Sequence, residues 1–388
     1  MLAARGQGLN VMGKRKRILY VQYTNPAAYP PLEHSSRILA GGGWHVQFLG
    51  TRADGADDLV FPAHARIGVR LRPFQPGGWR QKLHYFRFVG WCIAWCVAWR
   101  PTVIYCSDPL SAPVGVLAWY LLRVPVVYHE HDTPGPPTSA ALGVVHAMRR
   151  RLARIAVACV VPQKERLSRF VAALKPRRAV CVWNCPAREE VVPPQDTIRS
   201  AEPTLWYHGS LNGQQLPLTV IDALALLPSC TRMRFAGYET LGHVGFVKQF
   251  LGRARELGIG ERVEYVGTPS TRRGLYALAA KADVGLALFP RSFREPMAGA
   301  SNKPFDYLAC GLSLLLTESA EWSEFYHTAG CGRLTSPDSS EAIATTLRAM
   351  LDNPDQTRAM GAAGQRRVLD DWNYETQFEP VRRLLDSL

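Results

Sequence analysis

The chain has 388 residues, 47% of them apolar and 20% charged, with a formal net charge of +14; this composition excludes a disordered or fibrous chain and leaves room for two ordinary domains, each with its own core. Its nine cysteines (Cys92, Cys96, Cys106, Cys159, Cys181, Cys185, Cys230, Cys310 and Cys331) are odd in number, lie mostly in apolar runs and form no CxxC pair, which argues against a disulfide framework or a thiolate zinc site and for free thiols in a reducing cytoplasm. The longest apolar run, 88–99, has 12 residues against the roughly 20 that cross a bilayer, and the about six apolar residues behind the N-terminal basic cluster are too few for a signal core.

Met12 offers an alternative start to Met1. From there the first half alternates short β-branched runs with helical spacing. Strands are predicted at 17–23, 45–50, 102–107, 125–130, 155–161 and 179–184, and helices at 32–41, 80–99, 110–122, 140–154 and 163–174. That alternation implies a parallel, doubly wound α/β sheet with right-handed crossovers. Residues 185–203 carry four prolines and mixed charge and read as a linker. The pattern then restarts, with strands at 204–209, 233–237, 263–267, 283–289 and 313–317 and helices at 216–227, 243–257, 270–281 and 302–310. A helical tail follows 338. The expected organisation is a Rossmann-like domain over 1–195, a second over 196–372 and a final helix over 373–388 that returns to the first. Ligands of such sheets lie beyond the carboxyl ends of the strands, so two facing domains create a cleft.

Charge divides unevenly. Residues 1–195 hold a net +16 and residues 196–388 a net −2. A basic first half suits an anionic membrane surface, a lipid phosphate or an acidic glycan; a nucleic acid is disfavoured, because no stacking motif is interleaved with the basic residues. Trp91, Trp95 and Trp99 recur at helical spacing, and because the opposite face is also apolar the pattern favours a helix buried against the sheet over an interfacial one. The runs at 148–154 and 175–178 are the better candidates for an electrostatic membrane footprint.

The segment richest in chemistry is "SNKPFDYLACG", Ser301–Gly311. Ser301 reads as the N-cap, Pro304 falls in the first turn, and Phe305, Leu308 and Ala309 form an apolar face. Gly299 and Ser301 leave main-chain N–H groups free at a helix start, where the dipole favours an anion. Lys303 adds a point charge, and Asp306, one turn on, is placed to accept hydrogen bonds from two ribose hydroxyls; a merely well-capped surface helix is the plainer alternative. A second segment, "VVYHEHDTPG", runs from a buried strand into a loop bearing His129, Glu130, His131 and Asp132. These residue types serve a sugar contact, an inert loop or a metal.

Three stretches, "HGSLNGQQLPLTVIDALALLP", "VEYVGTPSTRRGLYALAAKADVGLAL" and "SNKPFDYLACGLSLLLTESAEW", together resemble the donor-binding domain of glycosyltransferase family 4, retaining enzymes of the GT-B fold. The resemblance spans most of residues 200–370; the first half is similar only in architecture and a few loop residues. It implies that Asp306 binds the ribose, that Lys303, Asn302, Ala300, Ser301 and Gly299 line the diphosphate and sugar, that Gly209, Ser210 and Asn212 meet the phosphates, and that Gly267 and Thr268 read the base. His131 falls on the family's sugar-contacting histidine and Asp132 on the acid after it, and Asn25 and Tyr29, with Glu33 and His34, fall in a loop over the acceptor. The donor is then a nucleotide sugar used as substrate, with no metal and no other cofactor. The acceptor is a glycan or a lipid-linked molecule, and the protein is cytoplasmic, touching the inner face of an anionic membrane through its basic half.

Departures from the family accompany the match. Ala298 stands where a second glutamate is usual, with Glu295 nearby, and Ser210 and Gln215 replace an arginine and a lysine. Arg272, Lys303 or Arg294 would have to supply the missing phosphate cations. Two other readings stay open: a sugar-nucleotide 2-epimerase, and a non-catalytic nucleotide-sugar binder.

Overall fold

The computed structural model describes residues 16–53, 59–193, 202–239, 242–293 and 297–388. Seven strands form the first sheet: β1 (Arg17–Val21), β2 (His45–Thr51), β3 (Ile67–Arg72), β4 (Val103–Ser107), β5 (Val126–His129), β6 (Ala158–Val161) and β7 (Ala179–Cys181). They are ordered β3-β2-β1-β4-β5-β6-β7 with every pairing parallel. Helices α1 (Pro30–Gly41), α2 (Trp79–Trp99), α3 (Ala112–Leu122), α4 (Ala140–Ile155) and α5 (Lys164–Leu174) connect them. All five residues of β4 are buried, as a strand covered on both faces requires. Helix starts follow local chemistry: Pro30 and Pro31 open α1, Ser139 accepts from the Leu142 amide at α4, and Gln163 accepts from Arg166 at α5.

The second sheet holds β8 (Thr204–Leu211), β9 (Arg232–Glu239), β10 (Val263–Tyr265), β11 (Val284–Ala287), β12 (Ser313–Thr317) and β13 (Gly332–Thr335), ordered β10-β9-β8-β11-β12-β13 and again wholly parallel. Its helices are α6 (Thr219–Ala225), α7 (Phe246–Glu256), α8 (Arg272–Ala279), α9 (Asn302–Ala309), the short α10 (Ala320–Trp322), α11 (Ser340–Leu351) and α12 (Pro354–Asp370). The strand order reverses between β1 and β4 in one sheet and between β8 and β11 in the other, and those switch points are where such sheets open a crevice. The two sheets and their parallel crossovers make this the GT-B architecture.

Strands β3 and β13 lie outside the predicted set. Strand β3 is an edge on which Arg70 and Leu71 are exposed, so its sequence shows no apolar run, and β13 has only four residues. The stretch read as a linker is in part packed structure. Cys185 and Ala187 are buried, and Glu190 ends a 3₁₀ turn with its side chain turned inward.

The last helix, α13 (Tyr374–Asp386), seals the far face of the first sheet. Its Tyr374, Phe378, Val381 and Leu385, on one helical face, pack with Ile18, Tyr20, Tyr105, Leu32 and Leu39. Asp386 anchors the end, accepting from Lys16 at 2.9 Å and from the Trp44 indole at 3.1 Å. Phe378→Ala should cost about 3–5 kcal/mol, the range for truncating a fully buried phenylalanine. Urea unfolding of the purified protein measures it, and a loss under 1 kcal/mol would contradict this packing.

Helix α2 packs against the sheet as the favoured sequence reading has it, but only one of its faces is fully buried. Phe88, Cys92 and Cys96 face the core, while Trp91, Trp95 and Trp99 are half-buried beneath arginines: Arg72 stands 5.0 Å from the ring of Trp91, Arg70 5.1 Å from Trp95 and Arg17 5.5 Å from Trp99. Among the described residues no helix is long and apolar enough to cross a membrane.

Candidate active site

Helix α9 begins beside the β8/β11 switch point. Gly209, near the end of β8, has φ +125°, and a β-carbon there would meet Lys303 Cε at 2.7 Å; the glycine is the channel along which the lysine lies. Lys303 Nζ donates to Gln215 Oε1 and lies 5.7 Å from the Tyr207 ring and 5.9 Å from that of Phe289. Burial lowers its pKa to about 8 against the opposing pull of Asp306. The preceding turn closes when the Ala300 and Ser301 amides donate to Met297 O. The next two amides, of Asn302 and Lys303, make no hydrogen bond among the described residues, and neither does the buried Ser301 hydroxyl. Two helix-start amides and a hydroxyl thus lack an acceptor, with an ammonium held close by through Gln215, which is the chemistry of an oxyanion site.

Asp306 lies one turn further in and is only 3% exposed. Its Oδ1 accepts from the Tyr276 hydroxyl at 2.6 Å and from Arg272 at 3.1 Å, and its Oδ2 from His208 Nε2 at 3.2 Å. The Trp206 indole donates to His208 Nδ1 at 2.9 Å, so Nδ1 is an acceptor and Nε2 carries the proton. Burial works to raise the Asp306 carboxyl, but the Arg272 guanidinium and the His208 and Tyr276 hydrogen bonds outweigh it and hold it below the usual range. The sequence reading sets Arg272 on the donor phosphates; the structure commits it to two carboxylates instead, Asp306 and, at 2.6 Å, Glu190. With three acceptor directions of Asp306 in use, about one remains, so it can serve one ribose hydroxyl rather than two.

The opposite wall comes from the first sheet. His131 is buried, its Nε2 3.0 Å from Ser107 Oγ and its main-chain amide donating to Asp108 Oδ1 at 3.0 Å. Burial lowers its pKa in spite of Asp108, Asp132 and Glu130, so the imidazole is neutral at physiological pH. Asp108 sits at φ +63°, ψ 163°, a conformation costing a non-glycine residue about 1–3 kcal/mol, and it also accepts from Gln22 at 3.2 Å. Sequence reading missed Asp108; an acid directly after a buried strand and before a proline, "CSDP", is the signal that was there. Tyr29 packs against His131 with ring centroids 5.2 Å apart and the planes tilted by 49°. Its phenol is pushed up by burial and by Asp108, Asp132 and also Tyr238, at the end of β9. Glu130 is structural, held by Arg149 at 2.5 and 2.6 Å.

One loop ties the walls together. Glu321 accepts from the Ala298 amide at 2.8 Å and from Gln163, at the head of α5, at 2.9 Å, while Arg166 reaches Met297 Sδ at 3.2 Å and Asp132 at 3.3 Å. Gly299, at φ +85°, packs so closely on Trp183 that a β-carbon would lie 2.7 Å from the indole, and Asn184 donates to Ala300 O at 2.7 Å. Ala298 is therefore part of the scaffold that aims the head of α9. Sequence reading did not single out Gln163, Arg166 or Glu321.

Other predicted residues fall as follows. Asn212 accepts from the Gln214 and Gln215 amides at 3.0 and 3.1 Å, forming the turn that presents Gln215. Ser210 is half-buried beside Gly209, its carbonyl accepting from Tyr207. Thr268 donates to Gly237 O at 2.8 Å, and Gly267, at φ +80°, accepts from the Gly237 amide. Asp132 is largely open to solvent. Asn25, expected on the acceptor side, spends its amide on the Ala27 amide and Leu59 O, shaping its own loop. Glu33 pairs with Arg37, and His34 lies against Glu190, away from Tyr29's neighbours. Glu295 and Arg294 lie outside the described residues.

Two family models match the sequence: the glycosyl transferase 4-like domain over residues 32–185 and a glycosyl transferase-like domain over 233–383. No curated protein matches it. Among solved structures, Anabaena Alr3699/HepE in complex with UDP and glucose is similar with a TM-score of 0.74 at 19% identity, covering 96% of this chain and 100% of that one. Sucrose-phosphate synthase from Thermosynechococcus elongatus gives 0.74 at 17%, covering 96% and 99%, and WaaG, a glycosyltransferase involved in lipopolysaccharide biosynthesis, 0.69 at 15%, covering 95% and 99%. At these identities the likeness is one of fold.

Proposed function

The chain belongs to the glycosyltransferase 4-like enzymes, and from that premise we propose that it moves a sugar from a nucleoside-diphosphate donor whose diphosphate rests on the head of α9. The observation that carries this is the convergence of the unused Asn302 and Lys303 amides, the Ser301 hydroxyl and the Lys303 ammonium. UDP in the HepE structure makes UDP-sugars the first donors to test.

In this reading Lys303 takes over the work of the missing loop cations. Gln215, standing at the family's lysine position, holds the ammonium through its side-chain oxygen. As the bond between the anomeric carbon and the diphosphate breaks, negative charge grows on the leaving oxygen, and preorganised amides plus one ammonium lower its energy. Asp306 takes one ribose hydroxyl, Gly267 and Thr268 border the base, and neutral His131 meets the sugar, with Tyr29 and Asp132 on the acceptor side. By family resemblance the transfer retains anomeric configuration and proceeds without a metal, so a chelator should leave turnover unchanged. The acceptor is a glycan or lipid-linked molecule met at an anionic membrane, in keeping with the +16 half.

A thermal-shift series with UDP-, GDP- and ADP-sugars tests the reading. A donor at 100 times its Kd adds about 2.7 kcal/mol of stability. Absence of a shift with every nucleotide sugar would sink it, and donor consumption without any acceptor would instead indicate an epimerase.

A further inference from the structure

We propose that α2 lies flat on an anionic bilayer, inserting an outward apolar stripe that the protein itself leaves uncovered. The stripe is Trp79, Leu83, Phe86, Gly90, Ala94 and Val97. At 100° per residue these six positions fall within a sector of about 80°. All are exposed, with Trp79 at 70%, Phe86 at 69%, Val97 at 55% and Leu83 at 43%. The core-facing residues Phe88, Cys92 and Cys96 occupy the opposite side, so nothing in the sheet competes for the stripe. Single exposed apolar side chains are ordinary; a line of them along a 21-residue helix, about 30 Å long, is not.

Charge selects the occupant. Lys82 flanks one side of the stripe and Arg80 and Arg87 the other, all exposed, and Arg70 and Arg72 stand over Trp95 and Trp91 next to it. Residues 59–107 contain seven Lys and Arg and no Asp or Glu. An apolar strip bordered by cations, with a tryptophan at its end and no acid within its own stretch of sequence, matches headgroup phosphates above acyl chains. A protein partner or a second copy would meet the same uncompensated charge, which the net −2 of the other half does little to offset. The helix lies on the surface rather than crossing it, since no described helix is apolar enough to span. This deepens the acceptor side of the function proposed above, because it would bring the cleft to lipid-borne acceptors. Its first observable, lipid binding, does not depend on that function.

The test is co-sedimentation of the full chain with phosphatidylcholine vesicles made with and without phosphatidylglycerol, at low and high salt. Expected are binding to the anionic vesicles only, weakening with salt, a loss of roughly tenfold or more for Trp79→Ser with Phe86→Ser, and a loss of about fivefold per charge for Arg80→Glu and Arg87→Glu. Each variant is checked for an unchanged melting temperature and donor shift, so that misfolding is not read as lost binding. The proposal is overturned if the α2 variants bind like wild type, if no vesicle is bound, if reversing Arg150, Arg177 and Arg178 abolishes binding in their place, or if Trp79→Ser with Phe86→Ser turns an oligomer into a monomer. Vesicle binding without any nucleotide-sugar shift would leave the surface standing and remove the transferase reading alone.

Discussion

Arg272→Met is expected to cost roughly 3–5 kcal/mol of folding stability, the range for removing one partner of a buried ion pair. Arg272 sits between two inward carboxylates, Glu190 from the turn after β7 and Asp306 from α9, and also touches the Tyr276 hydroxyl. Without it, two negative groups face each other out of water. Both are depressed in the wild type. Burial of Glu190 is outweighed by Arg272 and His34, and that of Asp306 by Arg272 and His208. Groups with depressed folded pKa values add stability that is present above their ordinary values, 4.5 and 3.8, and is lost as pH falls below them. The wild type should therefore lose stability steeply on acidification through that range, and Arg272→Met should show a shallower acid limb from a lower plateau. Adding Glu190→Gln to Arg272→Met should recover part of the loss, since one of the two stranded charges is gone. Denaturant midpoints across pH give all three numbers, and a loss below 1 kcal/mol with an unchanged acid limb would show that the cluster does not tie the halves together.

That cluster also marks where sequence reading stops. Strand–helix alternation makes both sheets legible, because β4, β5, β11 and β12 are buried on both faces and so are mostly apolar, with their polar residues at the strand ends. Glu190 was hidden by its surroundings: in "CPAREEVVPP" the prolines and charges look like solvent-exposed linker, and its partner is 82 residues away. Arg272 stands out in the sequence only as a spare cation, and nothing in its own helix shows that Glu190 and Asp306 are the anions it meets. The head of α9 was legible because N-cap, proline, lysine and acid lie together in eleven residues. The scaffold aiming it was not, since Gln163, the Trp183–Asn184 pair and Glu321 come from three separate places in the chain. Patterns within one element can be read in sequence; contacts that converge from several elements cannot. The same limit explains α2, where the tryptophan stripe drew attention while the exposed apolar line on another face of the helix needed the packing to be seen.

Lys303→Gln is the second large effect. It should weaken donor binding roughly 10- to 150-fold, from the about 1.5–3 kcal/mol of a hydrogen bond to a charged group. Turnover should fall further, by on the order of 10²–10³, if the ammonium helps most when the leaving diphosphate carries its full charge. The pH dependence separates this role from a structural one. In the free protein Lys303 titrates at about 8, and a bound diphosphate favours its charged form and so raises that value. Donor affinity should be level below pH 8 and then fall, approaching tenfold per unit, until the raised pKa of the complex is reached; Lys303→Gln should be flat over the same range. Gly209→Ala offers an independent route to the same defect, because its methyl would clash with Lys303 Cε at 2.7 Å and displace the ammonium without removing it. Lys303→Arg should not rescue, since a planar fork does not fit the slot that Gly209 leaves for a thin methylene chain. Titration of the tightest UDP-sugar at several pH values decides the matter: if the wild-type affinity stays level through pH 8 to 9, or Lys303→Gln binds as tightly as wild type, the diphosphate is held somewhere other than the head of α9.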